Sequence, residues 1–170
     1  MIITKYVRSE TASLADILER LQGHVFHVTK LAYLPSILAD GEIRPNTDGS
    51  LPTTFGSSTN AFFRRRGCVS LFDYRSAPSP EIEDFRYRCY PFQPAVPDEG
   101  GVAIFLLKPE ALGALISWTR WRDENALRET VVPHVEAGYP GPLQLAMVSE
   151  IITLELTEDP DSFMATLRRA

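Results

Sequence analysis

Histidine and cysteine are scarce in this 170-residue sequence, and their spacing does not favour a metal site. The three histidines are His24, His27 and His134, and no two have the i,i+4 spacing that places two ligands on one helix face. The two cysteines, Cys68 and Cys89, form no CxxC pair and no Cys/His cluster. The sequence therefore gives little support to a zinc site, and we expect a reduced, cytoplasmic protein.

Long apolar runs, a surplus of basic residues and the common nucleotide-binding motifs are also missing. No run approaches the roughly 20 apolar residues of a transmembrane helix, and residues 1–20 lack the basic and apolar regions of a signal peptide. The formal net charge of -5 argues against sequence-independent binding to nucleic acid backbones. GxGxxG, P-loop, HExxH and GxSxG motifs do not occur. We therefore expect no membrane partner, and the candidate functional residues must be sought among weaker, dispersed features.

Length and composition predict a single α+β domain over residues 1–170. The length supports one packed core and is short for two, and a content of 44% apolar and 23% charged residues excludes a disordered chain. Helix and strand patterns follow one another without a regular β-α-β alternation. This order favours bent antiparallel or mixed sheets with short flanking helices.

Hydrophobic periodicity and turn residues locate the predicted elements. We expect a helix at 13–23, capped by Ser13, and a second helix that begins between Leu31 and Pro35 and ends at Asp40. Three further helices are expected directly after Lys108, at 122–129 and at 159–170. We expect strands at 24–29, 68–74, 102–107, 130–136 and, after a helical turn, within 143–156. Turn residues and prolines replace the periodic apolar positions at 45–60 and 77–101, so two long loops are predicted there.

The strand predicted at 24–29 carries a histidine and a threonine on one face. Side chains alternate along a strand, so His27 and Thr29 lie on the face opposite Phe26 and Val28. An imidazole and a hydroxyl two residues apart can contact the same ligand. The alternative is a partly buried histidine bonded to a main-chain carbonyl, which is the commoner role for a lone strand histidine.

Three consecutive arginines, Arg64, Arg65 and Arg66, follow two phenylalanines and precede a strand. Guanidinium groups bind phosphates and the edges of bases because they present a planar fork of donors. Phe62 and Phe63 can stack on a base in the same site. A solvated charge run beside a core anchor explains the pattern equally well.

Polar residues on later strands are further candidates. Ser70 lies near Phe72 at the end of one predicted strand, where an ordinary polar edge is the simpler interpretation. Glu136 follows a strand-like run and precedes a Gly/Pro turn. A carboxylate in that position can bond a sugar hydroxyl or stabilise a developing cation. Taken alone it is an ordinary surface carboxylate, and Glu129 and Glu150 compete with it for the role.

Taken together, these segments resemble the ADP-ribosyltransferase superfamily, and most of all its DarT-type branch, which modifies DNA bases. "FHVTKLAYLPSILADGEI" (26–43) is similar to that branch's opening strand with His and Thr, followed by a helix that ends at Gly. "VVPHVEAGYPGPLQLAMVSEIITLEL" (131–156) resembles the family's late segment, with a Glu before a Gly/Pro turn and a final strand. The arginine run lies between them, where a family arginine is expected. Tyr33 departs from the pattern, which often has Asn there.

The resemblance implies an ADP-ribosyltransferase-like fold and NAD⁺ as the donor of ADP-ribose. His27 would bond the adenosine-side ribose, the Val28 main chain would hold the carboxamide, and Tyr33 or Phe72 would pack on the nicotinamide ring. Glu136 would bond the 2′-hydroxyl of the nicotinamide ribose, and an arginine would bind the pyrophosphate or help to activate the acceptor. The implied cofactor-binding residues are His27, Val28, Thr29, Tyr33, Ser70 and Phe72, and the implied catalytic residues are Glu136, Arg65 and Arg66, with Arg64 as an alternative arginine.

The acceptor implied by the resemblance is a nucleic acid base or a protein, in a toxin or defence factor that an antitoxin would restrain. Two alternatives remain open at this point. One is a non-catalytic module of the same fold that binds a protein or nucleic acid. The other is a relative of the NAD-dependent RNA 2′-phosphotransferases, which is less favoured because this acidic chain offers one basic run for an RNA phosphate.

Overall fold

A computed structural model describes residues 2–9, 14–55, 59–93 and 100–157 of the chain. Within these ranges the protein is α+β, as predicted, with a mostly antiparallel seven-stranded sheet and short helices. Ser13 and the helix predicted at 159–170 lie outside the described residues. None of the helices in the described ranges combines the length and the apolar character that crossing a bilayer requires.

The elements are short and alternate irregularly along the chain. The strands are β1 (Ile2–Ser9), β2 (Val25–Lys30), β3 (Glu42–Ile43), β4 (Cys68–Asp73), β5 (Val102–Leu107), β6 (Ile116–Ser117), β7 (Glu136–Pro140), β8 (Leu143–Gln144) and β9 (Val148–Thr157). The α-helices are α1 (Ala15–Leu21), α2 (Leu34–Asp40), α3 (Phe62–Arg65), α4 (Pro80–Arg88) and α5 (Thr119–Asp123). Short 3₁₀ helices occur at Leu31–Tyr33, Pro109–Ala114 and Leu145–Met147.

The large sheet has the strand order β1-β9-β5-β2-β4-β7-β6. Neighbouring strands in it are antiparallel except for β1 and β9, which are parallel. β3 and β8 form a separate antiparallel pair. Every residue of β5 is buried, because this strand lies within the sheet and is covered on both faces. That position explains its uninterrupted apolar sequence, VAIFLL.

Apolar clusters cover both faces of the sheet. Phe26 and Val28 of β2 belong to one cluster, together with Ile17 of α1. Val25 belongs to the other cluster, together with Phe105 of β5. The alternation predicted for β2 is therefore confirmed, and it directs His27 away from the cluster that holds Phe26 and Val28.

Helix α2 begins and ends as its sequence predicts. Pro35 lies in the first turn, where its missing N–H costs no helical hydrogen bond. Gly41 follows the last residue with φ 74°, and its N–H donates to the carbonyl oxygen of Ile37 at 3.0 Å. A left-handed residue at this position closes the helix and favours glycine. The predicted end of the helix at Asp40 is confirmed.

The prediction of a loop at 77–101 is wrong for the first half of that range, where the structure has α4. Ser79 caps this helix, because its Oγ accepts a hydrogen bond from the Ile82 N–H at 3.3 Å. Pro80 occupies the first turn, where proline is favoured. Acidic side chains in the first turn and basic ones in the last complement the helix dipole. The prolines that favoured a loop therefore mark the beginning of a helix.

Three other predicted elements differ from the structure. The strand at 130–136 is wrong, because residues 133–135 form a turn and only Glu136 belongs to β7. Pro133 has no N–H to donate, and His134 has a left-handed φ of 62°, so neither suits a strand. The helix expected at 122–129 lies earlier, since α5 ends at Asp123. The helix after Lys108 is a 3₁₀ helix.

The sheet opens between β2 and β4. These strands pair at Val25 with Asp73 and at Phe26 with Phe72, and no further pairs join them in the described ranges. Beyond Phe26, β2 continues along β5, while the rest of β4 pairs with β7. The two strands therefore leave a gap in the middle of the sheet, with one edge of each facing it.

Candidate functional site

A cleft of about 520 Å³ lies at the gap between β2 and β4. β2 contributes His27, Val28 and Thr29 to its lining, and β4 contributes Ser70 and Phe72. The remaining walls come from Leu31–Tyr33 and α2, the segment 45–55, α3, the end of α4, and residues 130–136. Residues from distant parts of the chain therefore meet around one cavity whose size is typical of small-molecule sites.

His27 bridges the gap between the two strands. Its Nδ1 lies 2.9 Å from the carbonyl oxygen of Ser70. A carbonyl can only accept, so Nδ1 carries the proton and Nε2 of a neutral ring is an acceptor. Burial lowers the pKa of His27, while the bond to Ser70 acts in the opposite direction. His27 therefore bonds a main-chain carbonyl, which is one of the two roles considered from the sequence, and it also lines the cleft. Its other role, contact with a ligand, stays a prediction.

Glu136 lines the same cleft from the far side of β4. It is the first residue of β7, where it pairs with Phe72, and it is half-buried. Its Oε2 accepts a hydrogen bond from the Val132 N–H at 2.6 Å. Burial raises the pKa of this carboxyl, and the Val132 N–H partly offsets that rise. A carboxylate in such a place can stabilise positive charge that develops beside it.

The end of α4 brings a thiol towards this carboxylate. Cys89 follows α4 and lines the cleft. Burial, together with the charge of Glu136, raises the pKa of the Cys89 thiol to about 12. The thiol is therefore protonated near neutral pH and is a poor nucleophile. Arg88 and Gln93 line the cleft beside it, and all three belong to a segment that the sequence had indicated was a loop.

The aromatic candidates differ in how far they are available to a ligand. Phe72 is 7% exposed and stacks on Phe26 with ring centroids 5.2 Å apart. The ring centroid of Phe55 lies 5.5 Å from that of Phe72. Phe72 is thus mainly part of the core and supports the floor of the cleft. Tyr33 is half-buried in the wall and offers more ring surface to a bound molecule.

Thr29 ties β2 to the segment 45–55. Thr29 is 5% exposed, and its hydroxyl lies 3.3 Å from the hydroxyl of Thr54. Within the segment, the Asn46 side chain donates to the carbonyl oxygen of Leu51 at 2.7 Å and accepts from the Leu51 N–H at 3.0 Å. These bonds shape the long irregular segment into one wall of the cleft.

The arginine run divides between two cavities. Arg64 lines the main cleft. Arg65 and Arg66 line a separate cavity of about 530 Å³, together with Arg120, Glu124 and Glu129. Of the catalytic residues implied by the resemblance, Glu136 lines the main cleft, and Arg65 and Arg66 lie apart from it. The arginine that shares the cleft with Glu136 is the alternative, Arg64.

Arg66 is held in a network of ion pairs in the second cavity. It donates to Glu124 and to Glu129, and its guanidinium carbon lies 3.5 Å from the ring centroid of Phe62. Arg65 pairs with Glu129 at 3.2 Å. Phe62 and Phe63 are buried in a core cluster, so neither is available to stack on a base. The charged side chains that line this cavity are paired with one another, which indicates a structural role.

The other acidic candidates are engaged away from the main cleft. Glu129 belongs to the network just described. Glu150 lies on β9, where it pairs with Arg20 at 2.7 Å and accepts a hydrogen bond from the Thr4 hydroxyl. Neither lines the main cleft. Glu136 is therefore the carboxylate, among the three considered from the sequence, that shares a cavity with His27.

The described residues contain no group of three or more His, Cys, Asp or Glu side chains placed to hold a metal ion. The chemical groups that the cleft offers are instead an imidazole acceptor, a half-buried carboxylate, guanidinium groups and aromatic rings. Comparison of the chain with models of protein families, with curated proteins and with solved structures gave no match.

Proposed function

We propose that this protein is an ADP-ribosyltransferase-like enzyme, a glycosyl transferase that uses NAD⁺ as donor and a nucleic acid base or a protein as acceptor. The observation that carries the proposal is the presence of His27 and Glu136 in one cleft, on either side of β4. Their sequence segments are the two that resemble the family. In the chain they are more than a hundred residues apart, so their meeting at one cavity supports the resemblance independently of the motifs.

The charges of the cleft suit a donor with an anionic pyrophosphate and a cationic nicotinamide. Arg64 faces the cavity, and Arg44 and Arg88 line it too, although the whole chain carries a net charge of -5. Guanidinium groups bind phosphate oxygens through parallel hydrogen bonds. We assign the pyrophosphate to Arg64, in place of Arg65 and Arg66.

The donor-binding residues have distinct roles in this proposal. Nε2 of His27 accepts a hydrogen bond from a ribose hydroxyl, because Nδ1 already donates to Ser70. The Val28 main chain lies on the edge of β2 beyond its pairing with β4 and binds the carboxamide. Tyr33 packs on the nicotinamide ring. Thr29 acts indirectly, by holding the segment 45–55 against the cleft.

Glu136 is the catalytic group in this proposal. Bound NAD⁺ supplies a glycosidic bond whose cleavage releases neutral nicotinamide and leaves an electrophilic ribose carbon for the acceptor, which then loses a proton to solvent. The Glu136 carboxylate bonds the adjacent 2′-hydroxyl and stabilises the positive charge on the ribose. Removal of one such preorganised group lowers kcat by about 10² to 10³. The carboxyl must be ionised, so activity falls on the acid side of its raised pKa.

The experiment combines binding with turnover. NAD⁺ at millimolar concentration should raise the melting temperature of the wild-type protein, and labelled NAD⁺ should transfer its label to one of three separate fractions of DNA, RNA or protein. Glu136→Gln should lower the rate of transfer by about 10² to 10³ and retain binding. Asp40→Asn is the matched control, because Asp40 is an exposed carboxylate at the rim of the same cleft.

The result also separates the alternatives. Stabilisation by NAD⁺ without turnover in any fraction would support a non-catalytic module that retains the fold, and transfer to an internal 2′-phosphate of RNA would support the phosphotransferase relative. No stabilisation and no turnover would overturn the proposal. An antitoxin partner would be expected to suppress the transfer activity when the two proteins are mixed.

A further inference from the structure

The turn that precedes Glu136 is closed by hydrogen bonds at both of its ends. The Val132 carbonyl oxygen accepts from the Val135 N–H at 3.3 Å and from the Glu136 N–H at 3.0 Å. The Val132 N–H donates in return to Oε2 of Glu136 at 2.6 Å. In an extended strand these two residues would lie about 13 Å apart. The turn therefore brings the carboxylate back onto a main-chain donor four residues upstream.

His134 occupies the position that reverses the chain. Its φ of 62° is left-handed, a conformation that most side chains disfavour and that Asn, Asp and His adopt more readily than others. Its ring packs against Trp118, with centroids 4.5 Å apart, and against Phe85 of α4, at 5.7 Å. The Nε2 atom lies 3.9 Å from Oε1 of Glu81. The ring contacts thus hold the residue in place while its backbone turns.

The chain is also anchored on both sides of this turn. The Thr130 N–H donates to the Asn60 carbonyl oxygen, and the Phe62 N–H donates to the Thr130 carbonyl oxygen, both at 2.9 Å. On the other side, Glu136 and the residues after it pair with β4. With its ends fixed, the course of residues 132–135 decides whether the carboxylate reaches the Val132 N–H.

We propose that His134 is a positioning residue for Glu136. Its left-handed backbone keeps the Val132 N–H on Oε2, which orients the carboxylate and leaves Oε1 to a ligand in the cleft. Within the described part of the chain, no donor contacts Oε1. The inference rests on the proposed function of Glu136 in stabilising the ribose cation. It adds a residue that does not itself line the cleft.

A change in the turn should be measurable at the Glu136 carboxyl itself. The Val132 N–H stabilises the ionised form, so its loss should raise the pKa of Glu136 further. Other titratable or charged groups around the same cleft are His27 on β2, Arg64 on α3, Cys68 on β4, and Arg88 and Cys89 at the end of α4. Asp40, Glu42 and Arg44 line it on the side of α2 and β3. All of these are unchanged in a comparison of two variants at position 134.

The test compares His134→Asn with His134→Val. Both variants lose the ring and the titratable group, but asparagine tolerates a left-handed φ and β-branched valine does not. Glu136 is titrated by ¹³C NMR, with Glu136→Gln to assign its signal, and kcat and KM for NAD⁺ are measured across pH. His134→Val should have a higher Glu136 pKa than His134→Asn. Its kcat at neutral pH should be about 10- to 100-fold lower, with the acid limb of the profile moved to higher pH and KM little changed.

Equal Glu136 pKa values in the two folded variants would overturn the inference. Thermal unfolding of both variants checks that each is folded. If His134→Val does not fold, His134→Gly and His134→Ala form a second pair, because glycine adopts a left-handed φ readily and alanine does not. If the wild-type protein does not consume NAD⁺, the proposed function fails, and the NMR titration still decides whether His134 positions the carboxyl.

Discussion

Nδ1 of His27 lies 2.9 Å from the carbonyl oxygen of Ser70, across the gap where β2 and β4 no longer pair. The side chain thus replaces main-chain pairing at this point and braces the two edges that form the cleft. It also fixes the tautomer, which makes Nε2 an acceptor. One histidine therefore connects the opening of the sheet to the chemistry of the cavity.

Replacing His27 should weaken NAD⁺ binding and change how stability depends on pH. We expect His27→Ala to raise the Kd for NAD⁺ about tenfold, the effect of losing one hydrogen bond of about 1.4 kcal/mol. Burial lowers the pKa of His27, so the unfolded chain takes up a proton near pH 6.5 that the folded protein does not. The free energy of unfolding of the wild type should therefore fall as pH decreases below about 6.5.

Calorimetric titration with NAD⁺ and urea unfolding at about pH 7.5 and 5.5 measure the two effects. His24→Ala is the matched control, since His24 is exposed and directly precedes β2. It should bind NAD⁺ like the wild type. A pH dependence of stability that is the same in His27→Ala and in the wild type would contradict the assignment of a neutral, half-buried imidazole.

Glu136→Gln should stabilise the protein at neutral pH. Burial raises the pKa of this carboxyl, so the folded protein holds its proton to higher pH than the unfolded chain does. The stability that comes from the protonated form is complete below the unfolded pKa and is lost as pH rises through the folded pKa. A glutamine avoids that loss, and its side-chain oxygen can still accept from the Val132 N–H.

The measurement is the melting temperature of both proteins between about pH 4 and 8, a range that spans the usual carboxyl pKa. We expect the variant to melt higher than the wild type at pH 7 and the difference to shrink towards pH 4. A variant that is less stable than the wild type at pH 7 would show that the carboxylate has a stabilising partner in the folded protein.

Arg86 should be the most important charged residue for the stability of the cleft wall formed by α4. It is 4% exposed, and its guanidinium donates to the side chains of Gln22 and Glu83. It also donates to the carbonyl oxygen of Ser76 and lies 4.3 Å from the ring centroid of Tyr74. Arg86→Ala removes these bonds together with the packing of a buried side chain against Tyr74, and we expect a loss of about 2 to 4 kcal/mol in the free energy of unfolding.

Urea unfolding of Arg86→Ala and Arg88→Ala tests this expectation. Arg88 lies on the same helix, is exposed, and pairs with Asp84 at the surface. Its replacement should change the free energy of unfolding by less than about 0.5 kcal/mol. Similar losses in the two variants would show that the bonds of Arg86 contribute little beyond those of a surface arginine.

The elements that were predictable from sequence are those whose local signals agree with their packing. β2 alternates because its two faces meet two apolar clusters, and α2 ends at Gly41 because a left-handed residue closes it. α4 and the turn at His134 were missed for different reasons. Pro80 indicates the end of a helix unless its place in the first turn is known. A left-handed backbone at a histidine does not change the pattern of apolar residues, so hydrophobic periodicity cannot predict it.

The arginine that faces the cleft could not be chosen from the sequence either. Successive residues of a helix point about 100° apart, so adjacent arginines on α3 face different surroundings. The buried Phe62 and Phe63 set the phase of this short helix, and their burial is visible only in the folded protein. Arg64 therefore lines the main cleft, and Arg65 and Arg66 line the second cavity.

Gly138 should tolerate no side chain. It lies on β7 opposite Ser70, and a Cβ at this position would overlap with the buried ring of Phe63. Overpacking of this kind costs about 1 to 3 kcal/mol, so Gly138→Ala should lower the free energy of unfolding by that amount. Gly113→Ala is the control, because the space around Gly113 is open and its φ is not left-handed. Equal stability of the two variants in urea unfolding would show that β7 can shift away from Phe63.

Arg64 and Arg65 should differ in their effect on donor binding, although they are neighbours in sequence and have the same charge. Arg64→Ala removes a cation from the cleft, and we expect the Kd for NAD⁺ to rise about 10- to 100-fold, as for the loss of a charged hydrogen bond. Arg65→Ala removes a cation that pairs with Glu129 in the other cavity, and it should leave the Kd unchanged. Both variants change the net charge equally, so a general electrostatic effect would weaken binding in both. A titration with ADP-ribose, which carries the pyrophosphate but no nicotinamide, should show the same difference between the two variants. Equal Kd values for Arg64→Ala and the wild type would remove the pyrophosphate from this side of the cleft.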